Sequence, residues 1–187
     1  MFSINDWKTE GPAKADFCGD NLIVDAINAV PPNSTLWYDR IFTGSIKINY
    51  SACILAPVKA SNINLFFYFD DGGLTDINRI KTADYKLYHN HQTYILTYLS
   101  ENKDEIRIRL RKCPGFVLLK EAYMPGIIEE NAVQNLEITM FDGKLTFAAN
   151  GTELLEYFDD RPYTAGKIGL RTWNTKLAWS GFHVRNL

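Results

Sequence analysis

Residues Glu105-Ile-Arg-Ile-Arg-Leu-Arg111 alternate without a break, and this narrows the fold more than any other stretch. Successive side chains of an extended strand point to opposite faces, so Ile106, Ile108 and Leu110 form one side and Arg107, Arg109 and Arg111 the other. The apolar side belongs to a core. Three adjacent guanidinium groups repel one another, and such a row is stable only against water, acidic partners or an anionic ligand held by bidentate hydrogen bonds. The pattern therefore predicts a sheet with one buried face and one strongly cationic face.

The same period recurs along the chain. Ser61–Asp70 places Ile63, Leu65, Phe67 and Phe69 on a core face, with Asn62, Asn64, Phe66, Tyr68 and Asp70 opposite. Further strands are expected at 22–26, 36–42, 45–50, 84–89, 93–99, 136–141, 144–149, 154–158, 166–174 and 178–184, and only residues 126–135 read as able to hold a helical turn. Asp142-Gly143 and Asn150-Gly151 are the preferred two-residue hairpin turns. Residues 93–99 run through the polar loop Glu101–Asp104 into the arginine strand. Pairing symmetric about that loop sets Tyr98 opposite Arg107, Leu96 opposite Arg109 and Tyr94 opposite Arg111. Many short strands with regular turns predict an all-β antiparallel sandwich. No linker or repeat interrupts residues 1–187, which read as a single domain.

The hydrophobic content of 46% and charged content of 22% fit a folded domain with a sizeable core. The net charge of −2, with no basic tail or zinc-ligand spacing, argues against a nucleic-acid partner. No apolar run approaches a membrane span, and the first ten residues lack the basic start and apolar run of a signal peptide. The three cysteines, Cys18, Cys53 and Cys113, are odd in number and widely spaced, which favours a reducing compartment and a cytoplasmic location. Association into homo-oligomers is left open.

Part of the 13% aromatic content is expected to build the core and part to stack on a ligand. On the expected polar face, Asn64, Tyr68, Tyr98, Arg109, Arg171 and Trp173 are candidate ligand-binding residues, and Glu121 on the following strand could reach the same cleft. Arginine would neutralise a uronate carboxylate while Trp or Tyr stacks on the ring; the plainer alternative is a solvated outer sheet. A β-eliminating lyase needs a neutraliser, a base and an acid. Arg111, one of His89 and His91, and Tyr94 are the candidate catalytic set, against a turn whose histidines meet only water. His89 and His91 could also share a metal, but no third ligand is in view. Carboxylates at Glu10, Asp39, Asp70, Glu121 and Asp159 show no local pairing, so glucanase-type hydrolysis is the weaker reading. Asp70–Gly73 and Asp159-Asp160 read as turns before calcium loops, and no cofactor is expected.

Two groups of motifs carry a family resemblance. Asn150-Gly151, Phe158-Asp-Asp160, Gly166-Lys-Ile-Gly-Leu-Arg-Thr-Trp173 and Trp179-Ser-Gly-Phe-His-Val184 resemble the final strands of concanavalin-A-like jelly rolls. With Trp7, Glu10-Gly-Pro12, Leu36-Trp37 and Arg111-Lys-Cys-Pro-Gly-Phe116, the chain resembles the YesU-like family, encoded among bacterial genes for rhamnogalacturonan (pectin) use. That family often has Asn where this chain has Cys113. The resemblance implies two curved antiparallel sheets and a ligand drawn from acidic plant glycans. Relatives by fold include lectins, glucanases, polysaccharide lyases and hydrolases of keto-disaccharides, and fold alone does not choose among them. The expectation is a protein acting on an acidic oligosaccharide in a concave sheet cleft, as a lyase or glycoside hydrolase; the alternative is a non-catalytic sugar-binding module.

Overall fold

The structure, a computed structural model, describes residues 6–73, 75–102 and 104–187. The expectation for the N-terminal residues Met1–Asn5, together with Leu74 and Lys103 of two expected loops, lies outside the described residues.

In chain order the strands are β1 (Trp7–Glu10), β2 (Lys14–Cys18), β3 (Asn21–Asp25), β4 (Asn33–Tyr38), β5 (Phe42–Thr43), β6 (Ile46–Leu55), β7 (Asn62–Asp70), β8 (Gln92–Asn102), β9 (Glu105–Cys113), β10 (Val117–Pro125), β11 (Val133–Phe141), β12 (Lys144–Ala149), β13 (Thr152–Phe158), β14 (Ala165–Trp173) and β15 (Lys176–Asn186). They form two antiparallel sheets. One runs β1-β4-β14-β7-β8-β9-β10, with β5 beside β14; the other runs β13-β12-β11-β6-β15-β3-β2. The main core lies between them, built from alternating side chains such as Ile46, Ile48, Tyr50, Ala52 and Ile54 of β6 and Ile106, Ile108 and Leu110 of β9.

Two short helices, α1 (Ile77–Thr82) and α2 (Tyr85–Tyr88), interrupt the β7–β8 connection. The second replaces the strand expected at 84–89. Asp76 and Asp84 are the reason: each carboxylate caps a helix, accepting from the Asn78 and Arg79 N–H groups and from the Lys86 N–H respectively. Residues 126–135, which read as able to hold a helical turn, form no helix; a turn at Glu130-Asn131, closed by the Ala132 N–H on the Glu129 carbonyl at 3.4 Å, leads into β11 at Val133.

The helices lie on the outward face of the first sheet and create a second, smaller apolar cluster there. It joins Trp37, Phe66, Phe69, Ala83, Tyr88, Ile95 and Cys113, with Tyr85 and Phe116 packed against it. Trp37 stacks on Phe69 at 4.2 Å between ring centroids. The ring needs a neighbour without a side chain: a Cβ on Gly169 would sit 2.5 Å from it. The outward face is therefore sealed in the middle by aromatic packing and left open toward the two strand ends.

Candidate functional site

The arginine strand meets its neighbour one residue away from the symmetric register. Leu99 lies opposite Arg107, Thr97 opposite Arg109 and Ile95 opposite Arg111, because an irregularity between Ser100 and Asn102 adds a residue to β8. A one-residue slip turns every side chain to the other face. Tyr94 and Tyr98, expected beside the arginines, instead point into the main core. Tyr94 donates its hydroxyl hydrogen to Asp159, which also receives Lys112 Nζ at 2.6 Å, and the Tyr94 oxygen accepts from the Tyr163 N–H. Tyr98 packs near Phe147.

A similar correction applies to Tyr68. Irregular pairing of β7 with β8 between Phe67 and Asp70, and with β14 between Lys167 and Gly169, breaks the alternation expected for 61–70. Tyr68 turns inward with φ of 53° and donates to the Gly44 carbonyl at 2.6 Å, while Phe69 turns outward into the aromatic cluster. The three tyrosines thus serve the core, and burial raises all three phenol pKa values.

At one end of the sheet, a cleft of about 270 Å³ crosses five strands on the outward face. Asn33 comes from β4, Arg171 and Trp173 from β14, Asn62 and Asn64 from β7, Thr97 from β8 and Arg109 from β9; Asp84 and Tyr85 form the wall at α2. Asn64, Arg109, Arg171 and Trp173 were candidates on sequence grounds. Thr97 was hidden by the register, and Asp84 and Tyr85 by the unforeseen helix. Asn33 precedes Ser-Thr after a Pro-Pro loop, and no pattern there marks it.

Arg171 organises this cleft. It is 2% exposed, donates to the Ala83 carbonyl at 2.9 Å and the Asn33 Oδ1 at 3.1 Å, and lies against the Tyr85 ring at 4.9 Å. Among the described residues it pairs with no carboxylate. Burial pulls its pKa below the ordinary arginine value, and the nearby Tyr88, Tyr85 and Asp84 only partly oppose this. The Asn64 amide donates to Asn62 Oδ1 at 2.7 Å, which aligns the two. Thr97 is 2% exposed, lines the cleft, and its Oγ1 has no hydrogen-bond partner among the described residues. A buried hydroxyl without a partner is costly unless something arrives to meet it. Trp173, 44% exposed, supplies a free aromatic surface at the rim.

The other candidates fall around this cleft rather than in it. Arg111 lies over the Phe116 ring at 4.5 Å, and His89 stacks on the opposite partner of that contact, 3.7 Å from Phe116. Burial, followed by the charge of Arg109, lowers the Arg111 pKa. Burial and then Arg111 keep the His89 pKa low, so the imidazole is neutral near pH 7. Glu121 holds Arg107, with contacts of 2.6 and 2.7 Å, and its carboxyl pKa is lowered by hydrogen bonds from Tyr123 and Arg107. His91 faces another region, 3.5 Å from Arg79 and edge-on to Phe69. The set His89, His91, Tyr94 and Arg111 is therefore not brought together: the histidines diverge and the tyrosine is in the core. Neither aspartate turn gathers with other acidic or imidazole groups into a metal-holding cluster among the described residues.

Comparison with known proteins places the chain in a family. Residues 29–182 match a family model described as a domain of unknown function, DUF6250, and the chain belongs to that family. No curated protein matches it in sequence. Among solved structures, a Bacillus subtilis protein of unknown function with a galectin-like fold aligns with 98% of this chain and 90% of its own, with a TM-score of 0.76 and 21% identity. The carbohydrate-binding module CBM66 from Bacillus subtilis aligns over 97% and 96%, at a TM-score of 0.70 and 11% identity. A legume lectin-like domain from Entamoeba histolytica aligns over 98% and 91%, at 0.69 and 10%. The antiparallel jelly roll expected from the sequence is thus the fold observed.

Proposed function

We propose that this protein binds an oligosaccharide across the end of its first sheet, with a uronate carboxylate at Arg109 and Arg171 and a sugar ring on Trp173. The observation that carries the reading is the composition of the cleft. A buried arginine without a carboxylate partner, a second arginine, three asparagine amides, an unpartnered threonine hydroxyl and a half-exposed indole converge in about 270 Å³. Amides and hydroxyls match a polyol, the indole matches the apolar face of a ring, and the arginines match an acid. Fold neighbours named as a carbohydrate-binding module and a lectin-like domain support the same reading. The resemblance to the YesU-like family supports a pectin-type glycan as the source of the uronate. The three thiols stand free, which supports a reducing, cytoplasmic setting.

Calorimetric titration with oligogalacturonides and with the same oligosaccharides reduced at their carboxyl groups tests this reading. Tighter binding of the acidic form, weakened in Trp173→Ala and in Arg109→Ala, is the expected result. Equal affinity for both forms, or unchanged affinity in both variants, would overturn it.

A further inference from the structure

At the opposite end of the same sheet lies a second cleft of about 400 Å³, and it shares no residue with the first. β4 contributes Trp37 here where it gave Asn33 there, β7 gives Phe69 in place of Asn62 and Asn64, and β14 gives Lys167 in place of Arg171 and Trp173. Lys167 and Arg171 are four residues apart on one strand, roughly 13 Å at the usual rise. The packing of Tyr88 and Tyr85 on Phe66 closes the space between the two clefts.

The chemistry of the second cleft differs from that of the first. Its guanidinium, on Arg79, is held by Glu10 at 3.1 Å and by Asp71 at 2.8 Å. Two further cations line the cleft: Lys8, paired with Asp39 at 2.9 Å, and Lys167, whose charge acts on Asp71, so that with Asp39 counted three positive groups meet three negative ones. Each carboxylate oxygen has one donor: Arg79 and Tyr88 on Glu10, Arg79 and the Gly73 N–H on Asp71. An ionised carboxylate accepts about four hydrogen bonds, so both keep acceptor capacity for hydroxyl groups. Ile80, 37% exposed, adds an apolar wall beside Phe69 and Trp37.

We propose that this cleft is a second ligand site, for a neutral sugar residue. The balanced charge disfavours a further anion, the spare carboxylate lone pairs accept hydroxyls, Lys167 donates to them, and the apolar wall takes the ring face. This rests on the reading of the protein as a glycan binder. It extends that reading to two unlike subsites on one face, one for an acidic ring and one for a neutral ring.

Two indole N–H signals separate the sites in a ¹H–¹⁵N spectrum, because Trp173 lines the first cleft and Trp37 the second. The probes are methyl glycosides of galactose, glucose, mannose and rhamnose, and sodium galacturonate. A neutral glycoside is expected to move the Trp37 signal, with at least tenfold weaker binding in Ile80→Glu and in Lys167→Ala, while galacturonate moves Trp173. If galacturonate moves Trp173 and no neutral glycoside moves Trp37, the second site falls and the first stands. If Trp37 responds to a neutral glycoside while Trp173 ignores galacturonate, the second site stands and the acidic reading of the first falls. A Trp37 response to galacturonate alone, or one unchanged in both variants, overturns the neutral-sugar assignment.

Discussion

Two arginines sit on the same sheet face, equally buried and differently employed. Arg79, 3% exposed, is bound by two carboxylates; Arg171, 2% exposed, is bound by a backbone carbonyl, an amide oxygen and aromatic rings. Burial works against the charge of both. At Arg79 the hydrogen bond to Asp71 and the charge of Glu10 outweigh it and the pKa rises; at Arg171 nothing does and the pKa falls. The difference separates a charge matched by carboxylates from one held only by neutral acceptors and rings. Arg79 fastens α1 to β1, and Arg171 holds the rim of a cleft.

The sharpest way to break this comparison is to remove each guanidinium in turn. Arg79→Met leaves Glu10 and Asp71 without their common partner, and breaking a buried pair from one side costs about 3–5 kcal/mol. Denaturant unfolding should show that loss; a decrease under about 1 kcal/mol would mean that the pair does not anchor the helices. Arg171→Met strands no carboxylate. It forfeits two hydrogen bonds of about 1 kcal/mol each, and relief of the buried charge offsets part of this. Its main effect should fall on affinity, with acidic oligosaccharide binding weakened more than tenfold in calorimetry. A variant as unstable as Arg79→Met but undiminished in binding would reverse the assigned roles.

Much of this was legible in the sequence, and the parts that were not share a cause. Strand identity, the two hairpin turns and the cationic side of Glu105–Arg111 follow from side-chain period and turn chemistry, which are local. Arg109, Arg171 and Trp173 follow too, since each keeps its face wherever its strand is placed. The face of Tyr94 and Tyr98 depends on one extra residue near the β8–β9 turn, and that of Tyr68 on irregular pairing with two neighbours at once. Such shifts are settled by long-range pairing. The α1–α2 segment was legible in principle, because Asp76 and Asp84 stand where helix caps belong, but the alternation of Asp84–His89 concealed it.

The corrected register carries its own prediction. Tyr94→Phe removes a hydroxyl that joins Asp159 to the Tyr163 N–H inside the core and touches no part of either cleft. Stability should drop by about 1–2 kcal/mol, because Lys112 and the Arg161 N–H still satisfy Asp159. Affinity for the acidic oligosaccharide should stay unchanged. A marked fall in affinity at preserved stability would put the phenol back on the ligand side.

The smallest effect concerns pH, and it again divides the two ends of the sheet. Burial opposes ionisation of Asp71, yet the hydrogen bonds from Arg79 and the Gly73 N–H and the charges of Arg79 and Lys167 prevail, so its folded pKa lies below the ordinary 3.8. A depressed carboxylate stabilises the fold above its unfolded pKa, and that contribution is lost as pH falls through the folded value. Asp159, Glu121 and Glu137 are depressed as well, so acid weakens the whole protein and the raw profile does not isolate Asp71. The difference between the wild type and Asp71→Asn does, since the other carboxylates cancel. That difference should be constant from pH 7 to about 5 and shrink below the ordinary carboxylate value. Arg171 is paired with no carboxylate among the described residues and Asp84 is the smallest of the charges that act on it, so the stability difference between the wild type and Arg171→Met should shrink less than that for Asp71→Asn in the same interval. If both differences fade together on acidification, the two arginines share one electrostatic environment and the division between them disappears.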